Sequence, residues 1–431
     1  MDYNKLKKQT SLYINKNKDD ILKYLKALIR LPSPKGEATY AQELVYQFLA
    51  DLDFSIDMFP GDLESTKKYK DYCPLPQGEL NNRALNLVGT KKGGNAPKLM
   101  LFSHVDTELP LENIWEGEAY LPAEKDGKIW GLGAADAKSG LVMILMAVKA
   151  VLAVMSEDIP GDLLLMSVLG KRGGAAGALT AIDKGYTADG AIYCHSAETQ
   201  HGFREIKNYS MGTLDFKVLA TGKPGVPFED LDISDVNAIK KGKKIIQALE
   251  KWDEKRRQKM VFQDGSFTGE AMTKLHFGRL ISGDYVGNDP ISFELQCRLY
   301  FPLGETVDEL LDSIQKYLNT TLRHDHWFAA TPPQVEPMFI RANPAETSKE
   351  ESLIKIVENN INLVKGPQNF IYQHHGASDI RFPILYLDIP AVGIGSLAGG
   401  FSGKEWIDKK DLINGVEILA NTILDWWSHN S

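Results

Sequence analysis

His104 and Asp106 are a histidine and a carboxylate two residues apart, types that metal sites and acid–base sites use. They end a compact apolar run over residues 98–106, which is typical of a buried parallel strand with a site at its carboxyl end. Residues two apart on a strand lie on the same face, so the carboxylate can orient the imidazole. A purely structural histidine gives the same short pattern, and the motif alone is weak.

Three further segments place charged or imidazole side chains beside glycines. GKIWGLGAADAKSG puts Asp136 at the entry to an apolar helix, where an aspartate is also typical of a helix N-cap. LGKRGGAAGAL carries Lys171 and Arg172 in a strand, glycine turn and helix pattern. HHGASDIRF carries His375 and Arg381 late in the chain.

The elements that must position these side chains alternate between strands and helices. Buried strands are predicted over residues 98–106, 162–170 and 190–195, with an apolar helix over Lys138–Met155. This alternation predicts an α/β fold with a mostly parallel sheet flanked by helices. A strand near residues 384–387 is predicted to belong to the same core.

The middle of the chain follows a different pattern. Half-exposed strands and amphipathic helices succeed one another there, as in a small α+β domain with ferredoxin-like topology. We therefore predict a catalytic domain in two parts, residues 1–209 and 327–431, with a lid domain inserted at residues 210–326.

The composition excludes several classes of protein. The chain has 431 residues, 43% hydrophobic and 25% charged, which is ordinary for a globular protein of two or three domains. A net charge of −8 argues against a general nucleic-acid or anionic-membrane binder. Three widely spaced cysteines form no disulfide framework, and the polar N-terminus is unlike a signal peptide. We expect a cytoplasmic protein that does not span a membrane.

In this order, the motifs resemble the zinc-dependent family of aminoacylases, acetylornithine deacetylases, succinyl-diaminopimelate desuccinylases and glutamate carboxypeptidases. The matches are HxD, G-x-G-A-x-D-x-K-x-G, a strand ending in a glycine turn, an inserted domain whose helix starts with NAI, and S-D-x-R-F. The resemblance covers nearly the whole chain. It implies a catalytic α/β domain of zinc-exopeptidase type with an inserted lid, commonly dimeric through that lid.

The resemblance also implies a set of metal ligands. The family pattern has two zinc ions bridged by one aspartate, which matches Asp136, and His104 and Asp106 match the HxD ligand and its supporting carboxylate. The third ligand of the first metal falls at His195, with Glu198 as the alternative. Asn288 and Arg298 of this chain match the lid segment of the family, and His375 and Arg381 lie in the segment that contains the late motif.

This sequence departs from the family at the second metal. Lys171 and Arg172 stand where the general base and a metal-binding glutamate are expected, and Phe401 stands where a late histidine is expected. The lid histidine is also missing, with Val226 nearest to its place. His104, Asp136 and His195 still provide the three ligands of a mononuclear catalytic zinc, and another divalent metal would also fit. Arg172 would then take the place of the second ion and bind a substrate carboxylate.

These observations predict a metal-dependent hydrolase that cleaves an amide bond in a small carboxylate-bearing substrate, such as an N-acyl amino acid or a dipeptide. Arg172, Arg381, Asn288, Arg298 and His375 are the predicted substrate-binding residues, and Asp106 and Lys171 the predicted catalytic ones. One alternative is a pseudoenzyme that binds a small carboxylate or a partner without turnover. Another is a different reaction with Lys171 as base or nucleophile.

Overall fold

The computed structural model describes the 431-residue chain except residues 35–36, 62–63, 74–84, 117, 156–157, 170–175, 197–200, 223–236, 261–272, 401–402 and 430–431; the side chains of residues 176, 373–375 and 429 are also outside the described part. The described residues divide into two compact units, Met1–Ser210 with Ala345–Ser431, and Met211–Pro344. The helices are α1 Tyr3–Lys16, α2 Lys18–Ile29, α3 Thr39–Ala50, α4 Glu112–Trp115, α5 Lys138–Met155, α6 Ala176–Asp183, α7 Ala238–Arg257, α8 Val307–Leu322, α9 His326–Ala330, α10 Ser352–Lys365, α11 Arg381–Leu387 and α12 Lys409–His429. The strands are β1 Ser55–Pro60, β2 Leu85–Lys91, β3 Ala96–His104, β4 Ala123–Lys125, β5 Lys128–Trp130, β6 Gly161–Val168, β7 Gly190–Cys194, β8 Glu205–Thr221, β9 His276–Ser282, β10 Ser292–Phe301, β11 Gln334–Ala342, β12 Ala345–Glu346, β13 Ile371–Gly376, β14 Ala391–Ile394, β15 Ala398–Gly399 and β16 Trp406–Asp408.

The first unit is built on a mixed sheet with a parallel centre. Its strands lie in the order β1, β2, β6, β3, β7, β14, followed by the first residues of β8. The neighbours β6, β3, β7 and β14 run parallel, whereas the outer pairs are antiparallel. This agrees with the α/β fold expected from the sequence and aligns the carboxyl ends of β3 and β7.

Both faces of this sheet are buried, because side chains of β3 alternate between two hydrophobic clusters. Leu99 and Leu101 pack with α5 and α12 on one face, while Met100 and Phe102 pack with α6 and α11 on the other. A strand covered on both sides must be apolar at nearly every position, which explains the continuous apolar run in the sequence.

Helix α5 is the central helix of this unit and is buried almost all around. It is the one described helix long and apolar enough to cross a membrane by length and composition, and 78% of it is buried inside the fold. Its apolar surface is therefore matched by packing against β3, β7 and α12.

The second unit is a smaller sheet with helices on one face. The later residues of β8 pair with β10 and β11, and β9 extends the sheet from β10. Helices α7 and α8 cover Leu214, Phe216 and Leu299. Strand β11 follows residue 327, yet it pairs with β8, and the unit accordingly continues to Pro344.

The predicted strand near residues 384–387 is wrong, because the structure has helix α11 there. The run RFPILYL is short and apolar, and such a run does not distinguish a buried strand from a helix segment. Pro383 lies in the first turn of the helix, where its missing amide proton costs nothing.

Candidate metal centre

The sheet of the first unit brings two histidines together. His104 is the last residue of β3, and His195 follows directly after β7. Because β3 and β7 are adjacent and parallel, both side chains lie at the same edge of the sheet. Their ring centroids are 5.5 Å apart, and both residues are buried.

A turn before α5 places Asp136 between these histidines. Its Oδ1 lies 2.8 Å from His104 Nε2 and 3.0 Å from His195 Nε2. A small antiparallel sheet, in which β16 pairs with β5, brings Glu405 to this turn. One carboxylate oxygen of Glu405 accepts hydrogen bonds from the backbone amides of Gly133, Ala135 and Asp136, at 3.0, 3.1 and 3.2 Å. The position of Asp136 is therefore fixed by a carboxylate far away in sequence.

His104, Asp136 and His195 form a set of donors that fits a metal ion. One ligand atom from each lies within 4.8 Å of the others, and two imidazoles with one carboxylate are a usual donor set for zinc. The remaining nitrogen of each imidazole is also held: Nδ1 of His104 donates to the Asp106 carbonyl at 3.0 Å, and Nδ1 of His195 lies 3.0 Å from the Ser196 carbonyl. Such outer contacts orient the ligating nitrogens. Within the described part of the chain, this is the one group of three or more such residues.

The two histidines have opposite electrostatic surroundings. Burial by itself would lower the pKa of His104, but hydrogen bonds with the Asp106 and Asp136 carboxylates raise it to about 10. Burial lowers the pKa of His195 to about 4, and the positive charge of Lys207 adds to this effect. In the metal-free protein at neutral pH, His104 therefore carries the positive charge and His195 is neutral.

The metal-free protein should lose stability as the pH rises from 6.5 towards 10. The raised pKa of His104 means that the folded state binds its proton more tightly, so this contribution is fully present below pH 6.5 and is lost as the pH passes through about 10. Thermal unfolding in the presence of a chelator, compared between the native protein and His104→Gln, measures the effect. The difference in Tm between the native protein and His104→Gln should narrow with rising pH, and the exposed His276→Gln is the control for replacing a histidine by glutamine. A constant difference for His104→Gln would contradict this assignment.

The backbone of α5 packs closely against the end of β7 beside the site. A Cβ atom on Gly140, in the first turn of α5, would lie 1.9 Å from the Cys194 carbonyl oxygen. The neighbouring Lys138 is fully buried, and its ammonium donates to the carbonyls of Leu28 and Leu31 at 3.0 and 2.7 Å. Burial lowers the pKa of Lys138 to about 7 despite the charges of Glu405 and Asp106. Helix α5 is thus anchored at its first turn, where it supports Asp136.

The other predicted site residues that the structure describes have different surroundings. Asp106 is buried beside the site, with its carboxylate 3.5 Å from His104 Nδ1. Arg381 is completely buried and donates to the carbonyls of Ala377 and Ser378, at 2.6 and 3.1 Å.

The two predicted residues of the second unit are described within that unit. Arg298 forms a bidentate pair with Asp215 on the neighbouring strand, at 2.6 and 2.8 Å. Asn288 lies exposed in the connection between β9 and β10. The predicted substrate-binding roles of Arg298, Asn288 and Arg381 therefore stay predictions.

Several sequence predictions fall on residues outside the described part. They are Lys171, Arg172, Glu198, Val226 and Phe401, together with the side chain of His375. Their predicted roles stay predictions.

The structure adds two residues that the sequence reasoning had not placed at the site. Lys207 in β8 is buried, and its ammonium lies 3.2 Å from His195 Nδ1 and donates to the Ser196 carbonyl at 3.0 Å. Glu405 holds the turn around Asp136. The sequence carried no signal for Lys207, because it stands among polar residues such as Glu205 and Asn208.

The chain is similar to known proteins in both sequence and structure. The model of the peptidase family M20/M25/M40 matches residues 100–425. An N-formyl-4-amino-5-aminomethyl-2-methylpyrimidine deformylase from Bacillus subtilis is 28% identical over 346 residues, covering 74% of this chain and 72% of the relative. A succinyl-diaminopimelate desuccinylase from Bordetella pertussis is 25% identical over 241 residues, covering 54% of this chain and 58% of the relative.

Solved structures show the same fold. A tripeptidase from Staphylococcus aureus superposes with a TM-score of 0.73 at 19% identity, covering 96% of this chain and 99% of the tripeptidase. Human carnosine dipeptidase 1 superposes with a TM-score of 0.65 at 14% identity, covering 98% of this chain and all of the other. At such identities the likeness establishes the fold, and it agrees with the zinc-exopeptidase-like fold expected from the sequence.

Proposed function

Because the chain belongs to the peptidase family M20/M25/M40, a family of metal-dependent hydrolases acting on amide or peptide bonds, we propose that it hydrolyses small N-acyl compounds with one metal ion bound by His104, Asp136 and His195. Membership confirms the family and the class of reaction predicted from the sequence. The observation that carries the proposal is the clustering of these three buried side chains at the carboxyl ends of adjacent parallel strands.

The residues of the site have complementary roles in this proposal. A divalent metal there would polarise the substrate carbonyl and lower the pKa of the attacking water towards ~7. Asp106 orients His104, and Glu405 holds the backbone of Asp136. The buried position of all three ligands lets their charges act in a medium of low dielectric constant, where electrostatic interactions are stronger than in water.

The relatives suggest which acyl groups to test. The two named above are a deformylase and a desuccinylase, and solved structures of the same fold include a tripeptidase and a dipeptidase. The sequence-based prediction adds a carboxylate on the substrate, as in an N-acyl amino acid or a dipeptide. We propose zinc as the metal, since two imidazoles and a carboxylate suit it.

The proposal is tested by metal content and amine release on the same sample. Protein prepared without a metal-binding tag should take up one zinc ion per chain and release amine from N-formyl, N-acetyl or N-succinyl compounds or from dipeptides. His195→Ala should lower both readings, and the exposed His276→Ala provides the control. Two ions per chain would contradict the single-metal site. Zinc bound without turnover across this panel would contradict the hydrolase.

A specific observation favours the pseudoenzyme as the second candidate: Lys171, Arg172 and Phe401 stand where the family pattern has two glutamates and a histidine. In that case the protein would bind a small carboxylate without cleaving it. Absence of bound metal after zinc reconstitution, with a carboxylate ligand still binding, would support this alternative.

The homodimer that the family resemblance implies belongs to this proposal as well. Strand β9 pairs with β10 alone among the described strands, and Leu280 and Ile281 on it are 52% and 42% exposed. An exposed, apolar edge strand is a surface that favours pairing with another chain. Sedimentation equilibrium measures the oligomeric state directly, and a monomer at micromolar concentration would contradict the proposed homodimer.

A further inference from the structure

We propose that Lys207 weakens divalent-cation binding at the His104–Asp136–His195 triad, which makes the bound metal readily exchangeable. The inference rests on the proposed function in that the triad is taken as the metal site. Lys207 acts through His195 and is therefore a positioning residue.

The position of Lys207 is fixed by the sheet. The residue is 1% exposed and lies in β8 directly opposite Gly393 of β14. A Cβ atom added to Gly393 would come within 3.0 Å of the Lys207 Cβ and 3.3 Å of its Cδ, so the lysine stem occupies the space that the glycine leaves. The stem is thereby directed to the end of β7, where the ammonium meets His195 and Ser196.

Hydrogen bonding by Lys207 opposes ligation by His195. For Nε2 to bind a metal, the ring proton must sit on Nδ1 and needs an acceptor there. The Ser196 carbonyl, 3.0 Å from Nδ1, is that acceptor, and its two lone pairs let it accept from Nδ1 and from the Lys207 ammonium at once. If Lys207 donates to Nδ1 instead, the proton moves to Nε2, which then donates to Asp136 and has no lone pair for a metal.

The charge of Lys207 acts in the same direction. Within the described part of the chain, its ammonium forms no ion pair with a carboxylate; its two contacts are a neutral ring nitrogen and a carbonyl oxygen. A buried positive charge that close to the triad repels a divalent cation, and the low dielectric constant of the surroundings strengthens the repulsion. Removing the ammonium should therefore favour metal binding for both reasons.

The test compares zinc affinity between the native protein and Lys207→Met, which keeps the stem and removes the charge. Affinity is measured by competition with a fluorescent zinc chelator, and no activity is needed. Lys207→Met should bind zinc at least ~10-fold more tightly, the scale of outer contacts to metal ligands. Lys217→Met is the matched control, because Lys217 lies on the same strand but pairs with Glu336. The zinc affinity of Lys217→Met should equal that of the native protein.

Lys207→Gln keeps a donor near the Ser196 carbonyl without the charge, and it too should bind zinc more tightly than the native protein. This variant carries the test if Lys207→Met does not fold, as judged by its thermal unfolding. Equal or weaker binding in a folded variant would overturn this inference alone. Absence of zinc binding in the native protein and in every variant would overturn the proposed metal site together with the inference.

Discussion

Asp136→Asn should abolish metal binding and reduce amide hydrolysis by ~10³-fold or more, the scale lost when water is no longer activated for attack. Asp136 is the one residue of the triad in hydrogen-bond contact with both others, through a single carboxylate oxygen. Asparagine keeps the size of the side chain and an oxygen acceptor, so the two histidines retain their partner. What is lost is the negative charge that would balance a divalent cation.

The measurements for Asp136→Asn are metal content by elemental analysis, amine release from the best substrate, and thermal unfolding as a check of the fold. Asp126→Asn is a matched control, because Asp126 is an exposed turn residue with φ of 53°, a conformation that asparagine tolerates. Normal metal content in Asp136→Asn would show that the ion binds elsewhere.

Gly140→Ala should destabilise the protein by about 3 kcal/mol, the upper part of the range for overpacked cores. The added methyl group would lie 1.9 Å from the carbonyl oxygen of Cys194 and 2.6 Å from its carbonyl carbon. Both contacts are with backbone, which does not move out of the way as a flexible side chain does. Relief of the clash would have to shift α5 away from the end of β7, separating Asp136 from His195.

Urea unfolding of the metal-free protein measures this change, and zinc affinity measured alongside it should fall as well. Gly278→Ala is the control: its added Cβ would have no neighbour closer than 3.7 Å, the Gln296 carbonyl, and it lies in the exposed strand β9. A Gly140→Ala protein with an unchanged unfolding midpoint would mean that the approach of α5 to β7 is looser than the structure has it.

The sequence predicted those parts of the site that lie at strand ends. His104 and His195 each come at the end of an apolar run that is buried on both faces. Such runs predict parallel strands, and the carboxyl ends of the adjacent strands β3 and β7 lie at the same edge of the sheet. Asp136 was marked by its glycine turn and by the apolar helix after it. For these three residues, the local sequence pattern predicts the same strand or helix that the fold contains.

Other features could not be read from the sequence, because they depend on distant contacts. Arg381 donates to the carbonyls of Ala377 and Ser378, and Arg298 pairs with Asp215 on the neighbouring strand. Neither contact could be read from the local sequence. The contact between Lys207 and His195 depends on Gly393, almost 200 residues later. Helix α11 was predicted as a strand, since a seven-residue apolar run carries no usable period.

The order in which the chain is synthesised gives the contact of Glu405 a further consequence. The amides of Ala135 and Asp136 are hydrogen-bonded by a carboxylate 270 and 269 residues further along the chain. Until Glu405 has left the ribosome, the turn lacks the acceptor that fixes it, although β3, β7 and α5 have already been made. A nascent chain therefore has His104, Asp136 and His195 long before the turn that holds Asp136 is fixed. If these residues bind the metal as proposed, we expect metal loading to follow synthesis of the segment that contains Glu405.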